Sequence, residues 1–261
     1  MVKVLFELIK KLFEHIFGKV ESNEAETQDP VAQTESSDSG ETINNETEEN
    51  QENMKSEMVI LIDNGHGDDT PGKRSPWSAN GVKPEIEFYE YKWAREIAYA
   101  VVYELGMAGY DARLLVPEIN DISLKERVKR VKTVCDEHGT SNVILVSIHA
   151  NAAGKCEKWM SARGWSAYTT KGKTQSDALA ECLYDEAKKN FVGQKIRKDT
   201  TDGDSDWEDN FYILQKTPCT AVLTENFFYD NVDDVQYILG EGREPVIMTH
   251  VNGIINYIDS L

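Results

Sequence analysis

The chain has 261 residues, of which 40% are hydrophobic, an ordinary proportion for a protein with one sizeable folded domain. The formal net charge is -18 at pH 7, and there is no basic stripe that could neutralise a phosphate backbone, which argues against nucleic acid as a partner. The four cysteines stand far apart, so we expect free thiols and no thiolate metal site, although their even number leaves a disulfide open. They are Cys135, Cys156, Cys182 and Cys219.

The N-terminal residues 1–20 carry an amphipathic helical pattern. Apolar residues recur there at helical spacing, at Leu5, Ile9, Leu12 and Ile16. Charged residues interrupt every turn, so the segment lacks the continuous apolar core of a signal peptide or of a membrane-spanning helix. We therefore predict a helix over residues 4–20 that contacts either a membrane surface or a partner helix, and the pattern leaves both open.

The next segment, residues 21–57, is strongly acidic. It holds twelve carboxylates and one lysine, Lys55, and almost no large apolar residue. Such a composition cannot bury enough surface to offset the entropy of the chain. We expect a disordered acidic linker here, followed by a folded domain over residues 58–261.

From residue 58 onward, buried strand patterns alternate with helical patterns. The order predicts a three-layer α/β/α domain with helices on both faces of a sheet. A second strand follows the first strand and helix. Ser123 with Glu126 then forms a capping-box pattern at the start of the next helix. The predicted strands are 58–63, 112–116, 142–149, 164–170 and 220–228, and the predicted helices are 88–107, 123–138, 174–190 and 246–258.

Four side chains with metal or proton chemistry fall at the ends of these elements. His66, His149 and Glu225 follow or close three buried strands, and Glu90 opens the first long helix. In an open α/β sheet, sites gather at the carboxyl ends of the strands. Two histidines and a carboxylate form a zinc set that leaves a fourth position open, and hydrolysis needs a further carboxylate as general base, for which Glu225 is the candidate.

Four segments are similar to the motifs of the zinc N-acetylmuramoyl-L-alanine amidases. They read VILIDNGHG, EYKWAREIA, LVSIHANA and AVLTENFF, in the order and approximate spacing of that family, and the resemblance covers about residues 58–261. It implies a mostly parallel six-stranded sheet flanked by helices, a phosphorylase/hydrolase-like fold. It also implies that His66, Glu90 and His149 hold zinc and that Glu225 acts in catalysis.

The resemblance implies an endolysin-like peptidoglycan hydrolase. Zinc-activated water, with Glu225 as general base, would cut the amide bond between N-acetylmuramic acid and L-alanine in bacterial cell wall. A zinc peptidase acting on stem peptides and a non-catalytic wall-binding module are the alternatives. Without a signal-peptide pattern, we expect synthesis in the cytoplasm and action on the wall after lysis or non-classical export. The sequence sets no oligomeric state.

Several residues admit two interpretations from their sequence context. Asp63 either orients a ligand histidine or caps a turn, and Asn151 either binds substrate or holds the turn after His149. Asn226 departs from the small residue that the family has after its glutamate. Glu85 and Glu87 lie close enough in sequence to compete with Glu90 as the ligand.

The acidic stretch 199–209 is typical of a solvated loop. Within and beside it, Trp207 and Phe211 either line a sugar or peptide groove or pack in the core. The remaining histidines, His15, His138 and His250, are interpreted as having no catalytic role.

Overall fold

The structure is a computed structural model that describes residues 57–76, 86–201 and 203–261. The predicted N-terminal helix and residues 21–56 of the predicted linker lie outside the described residues. Among the helices within these ranges, none is both long and apolar enough to cross a membrane.

Strands and helices alternate through most of the described chain. The strands are β1 (Val59–Asn64), β2 (Asp111–Leu114), β3 (Val143–Asn151), β4 (Ser166–Thr169), β5 (Trp207–Glu208) and β6 (Thr220–Phe228). The helices are α1 (Glu90–Met107), α2 (Leu124–His138), α3 (Gln175–Asn190), α4 (Tyr212–Lys216), α5 (Val232–Leu239) and α6 (Arg243–Asp259), with a 3₁₀ turn at Thr140–Asn142.

The strands form one six-stranded sheet with the order β2-β1-β3-β6-β4-β5. Strands β2, β1, β3 and β6 run parallel to one another, and β4 and β5 run antiparallel to them. The mostly parallel six-stranded sheet expected from the sequence is confirmed.

The sheet is buried on both faces, which explains why its central strands are almost wholly apolar. Alternate residues of β1 pack on opposite sides: Ile60 and Ile62 join α1, α3, α5 and α6, whereas Val59 and Leu61 join α2 and α4. The predicted arrangement of a sheet between two helical layers is therefore confirmed.

The carboxyl ends of β1, β3 and β6 meet at one edge of the sheet. Asn64 of β1 pairs with Ile148, and His149 of β3 pairs with Glu225 of β6. A β-bulge follows, because the register shifts beyond His149 and Phe227 takes a positive φ of 67°. This edge carries the candidate site.

The acidic stretch 199–209 is not simply the solvated loop that its composition predicts. Trp207–Glu208 pairs with β4 as the edge strand β5, and Asp206 beside it is only 1% exposed. The Thr169 hydroxyl donates to Asp206 Oδ2 at 2.6 Å, and burial raises the pKa of this carboxyl to about 7. The expectation failed because pairing with a distant strand covers the residue.

The four cysteines are free thiols, as expected from their spacing. Burial raises the pKa of Cys135, Cys182 and Cys219, which disfavours the reactive thiolate.

Candidate metal centre

Glu90 is placed by a short backbone ladder that leads into α1. The Glu90 N–H donates to the Lys73 carbonyl at 3.0 Å, and the Ser75 N–H donates to the Phe88 carbonyl at 2.9 Å. Tyr89 before the helix is extended, so the helix begins at Glu90, whose side chain is 1% exposed. Glu87 points outward and is exposed, and Glu85 lies outside the described residues. Of Glu87 and Glu90, only Glu90 is therefore buried.

His66 sits in a tight turn that needs a glycine on each side. A Cβ at Gly65 would lie 2.5 Å from His149 Nδ1, and one at Gly67 would collide with the backbone of Asp121. His66 itself has a φ of 63°, an uncommon conformation for a residue with a side chain and one that is frequent at functional sites. Arg95 donates to the His66 carbonyl at 2.9 Å, which holds the turn.

The Glu90 carboxylate lies between the two imidazoles. His149 Nδ1 is 2.9 Å from Glu90 Oε1, and His66 Nε2 is 3.4 Å from Glu90 Oε2. The imidazole centroids are 5.0 Å apart with the rings nearly perpendicular. The Ala150 N–H also donates to Glu90 Oε1 at 3.1 Å, which holds the carboxylate near the carboxyl end of β3.

The ionisation of the three groups is set by burial and by their mutual charges. Burial would raise the pKa of Glu90, but the nearby imidazoles of His149 and His66 outweigh burial and hold that pKa well below its ordinary range. Burial lowers the pKa of His66. It acts in the same direction on His149, where the Glu90 carboxylate outweighs it and raises the pKa. Glu90 is therefore an anion beside two imidazoles.

These three residues could hold a metal ion. Their ligand atoms all lie within 4.8 Å of one another. His66 Nε2 and Glu90 Oε2 are buried, and neither has a hydrogen-bond partner within the described ranges. Unpaired buried polar atoms are costly unless something binds them, and imidazole with carboxylate is a donor set that suits zinc. The arrangement thus fits a divalent cation.

Glu225 adjoins this group on the neighbouring strand and is not one of the three clustered residues. Its side chain is half-buried, and Oε2 is buried without a hydrogen-bond partner in the part of the chain that is described. Burial raises the pKa of Glu225 to about 7, with the charge of Glu90 acting in the same direction and His149 opposing it. A carboxyl with that pKa can both accept and return a proton near neutral pH.

Asn226 links three strands behind the site. Its amide donates to the His149 carbonyl at 2.9 Å, and Trp165 donates to its Oδ1 at 2.8 Å. Asn226 is fully buried, so each bond stabilises the position of β3 relative to β6 and the start of β4. The departure from the family pattern noted in the sequence is therefore part of the support of His149.

Asp63 orients neither histidine directly. Arg127 Nη1 donates to its Oδ1 at 2.5 Å and Ser147 donates to its Oδ2 at 2.6 Å. Arg127 also donates to the Asn64 carbonyl at 2.8 Å and to Asp121 Oδ1 at 2.9 Å. This buried ion pair stabilises the end of β1, from which the His66 turn emerges.

The other residues with two interpretations have structural contacts. Asn151 Oδ1 accepts from the Ala152 N–H at 2.8 Å and so holds the turn after β3. Trp207 and Phe211 both contact Tyr168, with ring centroids 6.4 and 5.4 Å away. His250 is fully buried and contacts Thr224 Oγ1 at 2.8 Å, His138 lies at the end of α2, and His15 lies outside the described residues.

Lys73 is a charged residue at this site that the sequence analysis missed. Its Nζ is 3.9 Å from Glu90 Oε2. The residue lies in a loop rich in glycine, proline and serine, where no periodic pattern indicates which side chain faces the sheet edge.

The fold and this group of side chains define an α/β protein with a candidate hydrolytic metal centre. Residues 60–256 match the model of a family described as N-acetylmuramoyl-L-alanine amidase. The chain belongs to that family, and membership supports a peptidoglycan amidase.

Solved structures of amidases share the fold. An N-acetylmuramoyl-L-alanine amidase from Clostridium difficile 630 is 24% identical with a TM-score of 0.63, covering 79% of this chain and 98% of that one. The catalytic domain of CwlV from Bacillus (Paenibacillus) polymyxa var. colistinus is 22% identical with a TM-score of 0.62, covering 77% and 98%. Ami1 from Mycobacterium smegmatis is 18% identical with a TM-score of 0.61, covering 79% and 99%. Among curated proteins, none matches the chain.

Proposed function

We propose that the protein hydrolyses the amide bond between N-acetylmuramic acid and L-alanine in peptidoglycan, with zinc held by His66, Glu90 and His149. The observation that carries the proposal is the Glu90 carboxylate, buried between two imidazoles, with Glu225 paired to His149 on the neighbouring strand. Membership of the amidase family indicates which bond is cut.

The chain would provide three ligands, and Glu225 adjoins them on the neighbouring strand. When bound, zinc would polarise the scissile carbonyl and lower the pKa of a water molecule. The Ala150 N–H keeps Glu90 oriented, and the Gly65 position leaves room for the His149 ring. The side chains are therefore positioned before substrate arrives, which is a requirement of efficient catalysis.

Glu225 would carry the proton. It accepts a proton from the attacking water as the water oxygen bonds to the lactyl carbonyl carbon. It then gives that proton to the alanine nitrogen as the carbon–nitrogen bond breaks, which leaves a lactyl carboxylic acid and a peptide with a free amine. In the metal-free protein burial raises the pKa of Glu225, which favours uptake of a proton by this carboxylate.

Paired substitutions separate metal binding from proton transfer. Glu225→Gln keeps the size and hydrogen-bonding capacity of the side chain but cannot accept a proton, so zinc content should stay near wild type while kcat falls by about 10²–10⁴-fold. His149→Ala should lose zinc affinity and activity together. Both are measured on a synthetic muramyl peptide by release of the alanine amine and by elemental analysis. Wild-type rates from Glu225→Gln would require another base.

The alternatives give different products on the same material. A stem-peptide peptidase would release no alanine amine from the muramyl end, and a wall-binding module would release nothing. We also propose the cell wall as the place of action, because the substrate lies there; the route to it stays a prediction.

A further inference from the structure

We propose that Lys73 stabilises the oxyanion of the reaction alongside the metal. Its ammonium binds the oxygen of the scissile carbonyl as that oxygen becomes negative. The inference rests on the proposed amide hydrolysis. It assigns to this lysine a role in the reaction beyond the three ligands and Glu225.

The ammonium of Lys73 lies at the mouth of the candidate metal centre. Nζ is 3.9 Å from Glu90 Oε2, and the side chain is 40% exposed whereas Glu90 is 1% exposed. The Lys73 ammonium also acts to lower the pKa of His66 and of Glu225, as expected of a cation near both side chains. It is therefore accessible to a substrate and adjacent to the reacting centre.

The backbone of Lys73 is fixed to the ligand-bearing helix. Its carbonyl accepts from the Glu90 N–H at 3.0 Å, and the next residue, Arg74, pairs with Tyr89 in an antiparallel bridge. On the other side of the loop, the Cys156 thiol donates to the Gly72 carbonyl at 3.0 Å. These bonds hold the base of the lysine side chain, so its delivery to the site does not depend on a free loop.

The ammonium keeps its hydrogen-bonding capacity for a ligand. A separation of 3.9 Å is too long for a hydrogen bond to Glu90, whose Oε1 is already bonded to His149 and Ala150. Within the described ranges no hydrogen bond from Nζ is formed. An ammonium has three N–H donors, and the group that forms beside it during hydrolysis is a negatively charged oxygen.

Two other roles are open to a cation here, and the contacts disfavour them. A lysine that recognised a distant stem-peptide carboxylate would not need to lie within 4 Å of a buried ligand carboxylate. A lysine that only paired with Glu90 would approach more closely than 3.9 Å and be less exposed. Both alternatives give distinct kinetic results.

The test uses the full chain loaded with zinc. Lys73→Met removes the charge, Lys73→Gln keeps a polar group, and Lys73→Arg keeps the charge. The control Lys132→Met removes an exposed lysine of α2, on the opposite helical layer. For each variant, kcat and KM are measured on a muramyl peptide and on the same peptide with its stem carboxylates amidated. Zinc content and the Kd of a phosphinate analogue of the tetrahedral species are measured alongside.

We expect Lys73→Met and Lys73→Gln to lower kcat by about 10²–10³-fold on both substrates, the usual effect of losing one oxyanion donor. Phosphinate binding should weaken in parallel, while zinc content and KM stay near wild type. Lys73→Arg should recover part of the loss, and Lys132→Met should match wild type.

Three results would overturn the inference. A higher KM on the unmodified substrate that disappears on the amidated one would assign Lys73 to a stem carboxylate. Loss of zinc in Lys73→Met would assign it to the structure of the metal centre. Unchanged kcat and phosphinate binding would leave it without a role in the reaction. If instead the wild-type protein releases no alanine amine, the proposed function fails first, and this inference fails with it.

Discussion

Gly65→Ala should weaken metal binding without replacing any ligand residue. A Cβ at this position would lie 2.5 Å from His149 Nδ1 and 2.9 Å from its Nε2. Carbon and ring atoms pack at about 3.5–4.0 Å, so the imidazole must withdraw by about 1 Å. Metal–ligand distances tolerate about 0.2 Å, and a displacement of about 1 Å in a catalytic site costs about 10²-fold in rate.

The assay is zinc affinity by competition with a chelating indicator, together with kcat/KM on a muramyl peptide. We expect at least about a tenfold rise in zinc Kd and about a 10²-fold fall in kcat/KM. Gly106→Ala is the matched control, because a Cβ there meets nothing within 4 Å and lies in α1, where alanine favours the helix. Wild-type zinc affinity and activity in Gly65→Ala would refute the placement of His149 as a ligand.

Three further predictions concern stability and domain structure. Arg127→Met leaves Asp63 buried without its cation and should lower the free energy of unfolding, measured by urea titration, by about 3–5 kcal/mol. A change below about 1 kcal/mol would show that the ion pair does not stabilise the end of β1. In the metal-free protein, the Glu225 carboxyl contributes stability that is complete below its ordinary pKa of 4.5 and is lost as pH rises through about 7. The free energies of unfolding of wild type and of Glu225→Gln, measured at several pH values, should therefore diverge across that window. A difference that stays constant with pH would contradict the raised pKa. Removal of residues 1–57 should leave a folded, zinc-binding and active protein, judged by circular dichroism and kcat; unfolding of the truncated chain would move the predicted domain boundary.

The strands that build the site could be predicted because each is a nearly continuous apolar run. β1, β3 and β6 are buried on both faces, so composition alone marks them, and β6 was predicted at its observed bounds of Thr220–Phe228. Since parallel strands end at the same edge, the gathering of His66, His149 and Glu225 followed from those three runs.

Features that depend on distant partners could not be predicted. The cation that pairs with Asp63 lies 64 residues away on α2. The edge strand β5 is only two residues long in an acidic stretch, and it forms because β4 lies beside it. Lys73 belongs to a loop without periodicity, and its place beside Glu90 depends on a hydrogen bond between the two backbones.

Helices α4 and α5 were both missed, and the sequence carries a signal for α5. Val232, Val235 and Ile238 recur at helical spacing in α5, and the Asn231 side chain caps the first turn by accepting from the Asp234 N–H. The eight residues of α5 hold only three such apolar positions, so the pattern is shorter than that of the longer helices.

The central claim is that this protein is a metal-dependent amidase, and digestion of purified peptidoglycan tests it most directly. The full chain is stripped of metal, verified by elemental analysis, and assayed before and after one equivalent of zinc. Products are identified by mass spectrometry. We predict that only the zinc-loaded protein releases peptides with a free alanine amine, and that the glycan chains stay uncut. Equal release by the verified metal-free protein, or new reducing sugar ends, would contradict the account.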